Sequence, residues 1–111
     1  MLVLPGNAQF YLCQQAIDLR KSFEGLSAVI ITLFPVEITS GAFFIFLNRS
    51  KDRMKVLYWD GDGLAIWYKR LEQGSFSQKI MKEGGVLDRR EFLMLLEGIT
   101  SGKLQKRYKL I

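Results

Sequence analysis

Apolar and polar positions follow two different periods along the chain, and the changes of period mark its elements. Gln9 to Gln14 is rich in aromatic and aliphatic residues and follows Pro5-Gly6-Asn7, which reads as a strand entered from a turn. Leu19, Phe23, Leu26, Ile30 and Leu33 then recur at intervals of four, three, four and three, one stripe of an amphipathic helix. Asp18 stands at the N-cap position of that helix, and Pro35 ends it. Gly25 costs such a helix about 1 kcal/mol relative to alanine, so burial of the stripe has to hold it. Phe43-Phe44-Ile45-Phe46-Leu47 is a short unbroken apolar run, whose length and aromatic content favour a strand buried on both faces. Met54 to Trp59 and Leu64 to Arg70 are two more strands, joined by the tight-turn sequence Asp60-Gly61-Asp62-Gly63. The three strands together read as an antiparallel meander.

After Leu71 the pattern is lost, and Gly74, Ser75, Ser77 and Gly84-Gly85 mark a loop. Asp88 and Glu91 have the spacing of a capping box, with an acid in place of Ser or Thr at the cap. Phe92, Leu95, Leu96 and Ile99 form a second helical stripe, which Gly98 or Gly102 would stop. The order β-α-β-β-β-α predicts an α+β domain in two layers. Its antiparallel sheet of about four strands carries two helices packed on one face. Residues 1–102 make a single domain and 103–111 a basic C-terminal tail, mobile when unbound.

Length and composition narrow the class. With 111 residues, two separate cores would each be small, so one domain is expected. A hydrophobic content of 49% with a net charge of +5 is not that of a disordered chain. The absence of histidine excludes Ser-His-Asp and Cys-His nucleophile pairs and removes the commonest metal-binding imidazole. Cys13 alone forms neither an internal disulfide nor a cysteine-rich zinc site, and among Phe10, Tyr11 and Leu12 it reads as a small buried hydrophobe. No basic region precedes an apolar run at the start, so no signal peptide is expected. The most apolar stretch, Ala28 to Phe34, is far short of the roughly 20 residues that span a bilayer. These features predict a soluble, cytoplasmic protein with no membrane partner, no cofactor and no small-molecule substrate. Asp60 and Asp62 read as turn formers, since a D-x-D-G fragment lacks the further oxygen ligands of a calcium loop. Asp18 and Glu24 complete the acids open to a nuclease metal site in principle, and no spacing brings the four together.

The positive charge is unevenly placed. Residues 1–48 sum to −1, 49–70 to +3, 71–102 to −1, and the tail from Lys103 carries four basic and no acidic residues. Pairing Trp59 with Leu64 across the turn sets Arg53 opposite Arg70 and Lys55 opposite Tyr68, with all four side chains on one face. Arg49 and Lys51 feed the strand end that holds Arg53, and Lys69 lies at the same end on the opposite face. Six basic residues thus converge on one end of the sheet. Arg53 facing Arg70 would repel unless an anion, or an acid such as Asp52, lies between them. Basic side chains beside a tyrosine suit a phosphate backbone, because each one placed near a phosphate releases counterions. A one-residue slip of register would send Lys55 and Trp59 to the other face. Charged residues merely decorating an exposed hairpin end are the plainer reading.

Several stretches resemble a known family. Asp18-Leu19-Arg20-Lys21-Ser22-Phe23-Glu24-Gly25-Leu26 is similar to D-[ML]-R-K-[GS]-F-[DE]-G-L, and Phe44-Ile45-Phe46 with Asn48-Arg49 to F-x-F-x-[NG]-R. Lys55 to Gly63 resembles K-x-L-x-W-D-G-x-G, Lys69 to Phe76 resembles K-R-L-E-x-G-x-F, and Leu95 to Ile99 the closing L-L-x-G-I. In this order the motifs resemble the TnpB family of small accessory proteins of IS-sixty-six-type bacterial insertion sequences, distinct from the RNA-guided nuclease of the same name. The resemblance covers nearly all of residues 3–100. It departs at Ser77-Gln78, where the family often has a tryptophan-proline pair, and in the tail. It implies a protein encoded beside a separate, larger transposase and needed for transposition, and it carries over no catalytic residue. Arg20, Lys21, Arg49, Lys55, Trp59 and Asp60 fall on family positions. Arg20 and Lys21 either face a phosphate or pair with Glu24 along the helix, and Trp59 is open to a plain core role.

The function expected is that of a non-catalytic accessory protein of transposition. Transposon-end DNA, the transposase, or both are its partners, and it is nucleoid-associated if DNA-bound. The residues expected to contact DNA are Arg49, Lys51, Arg53, Lys55, Tyr68, Lys69 and Arg70, with Arg20 and Lys21. A protein-protein adaptor would instead show an exposed aromatic patch near Tyr58, Trp67 or Tyr68. A metal-dependent nuclease using Asp60 and Asp62 would need a third acid.

Overall fold

The apolar run Phe43–Leu47 lies at the centre of the sheet, and everything else in the fold covers it. A computed structural model describes residues 4–76 and 85–97. In chain order it contains β1 (Phe10–Leu12), α1 (Phe23–Leu33), a single 3-10 turn (Ile38–Ser40) and β2 (Phe43–Leu47). β3 (Arg53–Trp59), β4 (Leu64–Arg70), β5 (Val86–Leu87) and α2 (Arg89–Glu97) follow. The strands form one sheet in the order β4-β3-β2-β1-β5.

The α+β class is as expected, but the sheet is mixed and has five strands rather than four antiparallel ones. β1 runs parallel to β2, and the other three pairings are antiparallel. Parallel neighbours need a crossover of a dozen or more residues, and the segment containing α1 supplies it. Strand, helix and strand at that spacing make a βαβ unit, which outweighs an extension of the antiparallel meander back to β1. β5 went unpredicted because two residues carry no period.

The helices do not share a face. Phe43, Ile45 and Leu47 join Phe10, Leu12, Met54 and Val56 beneath Phe92 and Leu95 of α2. Phe44, Phe46 and Leu57 pack on the other side against Leu26 and Ile30 of α1. All five β2 side chains are buried. Helices on one face alone would leave half of that strand in water, so the layers are helix, sheet and helix. Aromatic stacking joins the layers, with Phe10 and Phe92 ring centroids 4.6 Å apart on the α2 side. On the α1 side Phe34 meets Phe44 edge-on at 5.3 Å.

α1 begins four residues later than a cap at Asp18 would place it. Its N-cap is Ser22, whose side chain makes no capping hydrogen bond. Leu26 and Ile30 are the buried part of the predicted stripe, whereas Phe23 and Leu33 are 44% and 42% exposed. Leu19 is buried, but from the turn before the helix. Phe34 is extended, as a residue before proline prefers. The capping box of α2 forms as spaced: Glu91 N donates to Asp88 Oδ1 at 2.7 Å, and Asp88 N donates to Glu91 Oε1 at 2.9 Å. Ile99, the stop at Gly98 or Gly102, Ser77-Gln78 and the 103–111 tail lie outside the described residues.

Candidate nucleic-acid interface

The hairpin of β3 and β4 has the register read from its turn: Trp59 pairs with Leu64, Lys55 with Tyr68 and Arg53 with Arg70. Asp60 N donates to the Gly63 carbonyl at 2.7 Å, and Gly61 takes a positive φ of 85° that glycine permits. Strand alternation puts Arg53, Lys55, Tyr68 and Arg70 on the α1 side of the sheet. Lys69 points to the α2 side, where its Nζ donates to the Leu96 carbonyl at 3.0 Å.

Two loops build walls around that basic face. Past β1 the chain continues alongside β2, with Cys13 N donating to Ile45 O and Ile17 N to Leu47 O, both at 2.9 Å. Buried Ile17 and Leu19 anchor the turn that follows. Asp18 fixes that turn by accepting from Arg20 N and Arg20 Nε at 3.0 Å each. On the other side, Asn48 organises the loop between β2 and β3. Its Nδ2 donates to Asp52 Oδ1 at 2.7 Å, and its Oδ1 accepts Arg53 N at 3.0 Å. Ser50 Oγ also donates to Asp52, at 2.9 Å. Lys51 holds a left-handed φ of 58°, and its carbonyl accepts Phe76 N at 2.7 Å.

Between these walls lies a cleft of about 880 Å³, lined by Arg20, Arg49, Arg53, Lys55 and Tyr68, with Asp18 the sole acid among its lining residues. Lys55 is fixed at two points. Its Nζ donates to the Lys21 carbonyl at 2.8 Å and sits 5.1 Å from the centre of the Tyr68 ring. The side chain of Lys21 lies along Gly25, where an added Cβ would stand 3.0 Å from the Lys21 stem.

The sequence-predicted residues therefore divide. Arg20, Arg49, Arg53, Lys55 and Tyr68 come together in the cleft. Arg70 shares the face but not the lining, and its guanidinium meets Glu72 at 3.3 Å. The acid expected between Arg53 and Arg70 is thus Glu72, acting on Arg70, while Asp52 is engaged by Asn48 and Ser50. Those two hydrogen bonds hold the Asp52 carboxyl below its usual value of 3.8. Arg20 pairs with Asp18, not with Glu24. The guanidinium hydrogen bonds keep the Asp18 carboxyl well below the ordinary carboxylate range. Arg49 and Arg53 form no ion pair among the described residues, although the Asp52 carboxylate lies near enough to Arg53 to feel its charge. Lys51 and Lys21 flank the cleft without lining it.

Asn48 and the buried pair Ile17 and Leu19 shape the cleft and were not foreseen as site residues. The Asn48-Arg49-Ser50-Lys51-Asp52 composition, typical of side-chain-bonded turns, was the available signal for the first. Nothing in the local sequence announces the second. Burial pushes the Cys13 thiol up, as its inert reading anticipates. Among the described residues no three cysteine or acidic side chains gather as a metal ion would require. No helix among them is long and apolar enough to cross a membrane.

A family model described as IS66 Orf2 like protein matches residues 8–106. Two proteins of Sinorhizobium fredii (strain NBRC 101917 / NGR234) are similar to the chain. Uncharacterized protein y4jC is 29% identical over 94 residues, covering 84% of this chain and 80% of its own. Uncharacterized protein y4hO is 27% identical over 100 residues, covering 89% and 87%. No solved structure matches the chain significantly.

Proposed function

The chain belongs to the IS66 Orf2-like family, and from that premise we propose that it serves transposition by gripping DNA in the basic cleft. Membership makes it a transposition-associated accessory protein. The finer reading, a non-catalytic protein that holds transposon-end DNA, rests on one observation. Arg49, Arg53 and Lys55, from a loop and a strand, converge on one cleft, and neither arginine forms an ion pair among the described residues. Their mutual repulsion is relieved when a polyanion lies between them, and the counterions it sheds drive the association. Arg49 and Arg53 are the groups assigned to phosphates. Arg20, neutralised by Asp18, is assigned to shaping the wall.

The test is a gel shift on transposon-end DNA. Arg49→Glu with Arg53→Glu should abolish the shift, while Lys69→Ala, on the opposite face, should leave it unchanged. Retention of the shift by the double variant would reject the cleft as the DNA site.

Direct contact with the transposase is the second reading. Of the three aromatics an adaptor patch would use, Tyr58 and Trp67 are partly buried against the α2-side core and Tyr68 is exposed. Further apolar side chains that favour a protein contact are on α1, where Ile31 is 73% and Leu33 42% exposed. Co-purification of the transposase at high salt, lost in Ile31→Glu, would favour this contact.

A further inference from the structure

We propose that the nucleic acid taken by the cleft is single-stranded DNA, with an unpaired base stacked on Tyr68. The inference rests on the reading of the cleft as a DNA site and specifies its ligand. Three features carry it.

The first is shape. The cations line a concavity of about 880 Å³ between two loops rather than a ridge or an exposed helix. A volume in the range of roughly 300–1,000 Å³ encloses whole small molecules, so the space is larger than one phosphate needs. A duplex is a stiff rod with its phosphates on a convex surface, and it meets the rim of such a cleft. A single strand bends into it.

The second is the anchoring of Lys55. Lys55 is half-buried, and its ammonium is tied to the Lys21 carbonyl at 2.8 Å. It cannot swing out to a duplex without breaking that bond. A phosphate that reaches it meets Arg49 and Arg53 in the lining of the same cleft.

The third is the chemistry of the lining. Tyr68 is 49% exposed although it sits in a strand, and the Lys55 ammonium over its ring steadies it. An exposed, steadied aromatic ring beside cations is the arrangement on which unpaired bases stack. In a duplex the bases are already stacked on each other, so Tyr68 would gain nothing from them.

Fluorescence anisotropy on the full chain tests this without any substitution. The probes are a short labelled oligodeoxynucleotide and the same strand annealed to its complement. The single strand should bind about 5- to 150-fold more tightly than the duplex, by the value of one stacked base. Tyr68→Ala should weaken single-strand binding by about 5- to 150-fold and leave duplex binding unmoved, and Tyr68→Phe should restore it. Equal or tighter binding of the duplex overturns this inference while the cleft stays the DNA site. So does a Tyr68→Ala loss common to both probes. If neither probe binds, the reading of the cleft falls, and this inference with it.

Discussion

At the residue scale the cleft depends on Asn48 as well as on its cations. Its amide fixes both ends of the loop that presents Arg49, by accepting the Arg53 backbone N–H and donating to Asp52. Asn48→Ala should therefore cost about 1–2 kcal/mol of stability, by loss of these bonds. It should also weaken DNA binding several-fold although Asn48 itself carries no charge. Urea denaturation and anisotropy measure the two effects, and full affinity in Asn48→Ala would show that the loop needs no such brace. Single residues were unevenly legible in the sequence. Lys55 opposite Tyr68 followed from pairing Trp59 with Leu64 across the turn, with strand alternation doing the rest, and that register is the one observed. Arg20 did not, because its partner depends on where the helix starts. With α1 beginning at Phe23, Asp18 is free to fold back on Arg20 and take its charge.

At the scale of elements, the fold is governed by a strand that is apolar on both sides. The unbroken run of β2 was legible and so was its double burial, but its consequence, one helix per face, was not drawn from it. Periodicity reports that a helix has an apolar stripe. It does not report which side of the sheet the stripe covers. The same limit hid β5, a two-residue strand fixed by its surroundings. Gly85 enters it with a φ of 71°, and an added Cβ would collide with the Leu12 carbonyl oxygen. That carbonyl belongs to β1, whose Leu12 N–H donates to Gly85 O at 2.6 Å. Gly85→Ala should thus cost about 1–3 kcal/mol through backbone strain and loosened pairing of β5. The midpoint of urea denaturation measures it. An unchanged midpoint would show that the β5 edge gives way freely. The hairpin lies at the other end of the sheet, so the cleft should keep its affinity in this variant.

At the scale of the molecule, the relevant quantity is where the +5 resides, not its size. Of the cations read as converging, Arg70 is engaged by Glu72, and Lys69, on the opposite face as the register implied, is tied to the Leu96 carbonyl. The Arg20 guanidinium is cancelled by Asp18. What remains in the cleft is a cluster of three, Arg49, Arg53 and Lys55, and that number makes the account quantitative. The salt dependence of DNA affinity tests it most directly. The logarithm of the association constant against the logarithm of salt concentration should fall with a slope of about −2 to −3 for the native chain. Arg53→Gln should make that slope shallower by about one, and Lys69→Gln should not change it. A native slope near zero, or one that Lys69→Gln reduces and Arg53→Gln does not, would contradict a polyanion held in this cleft.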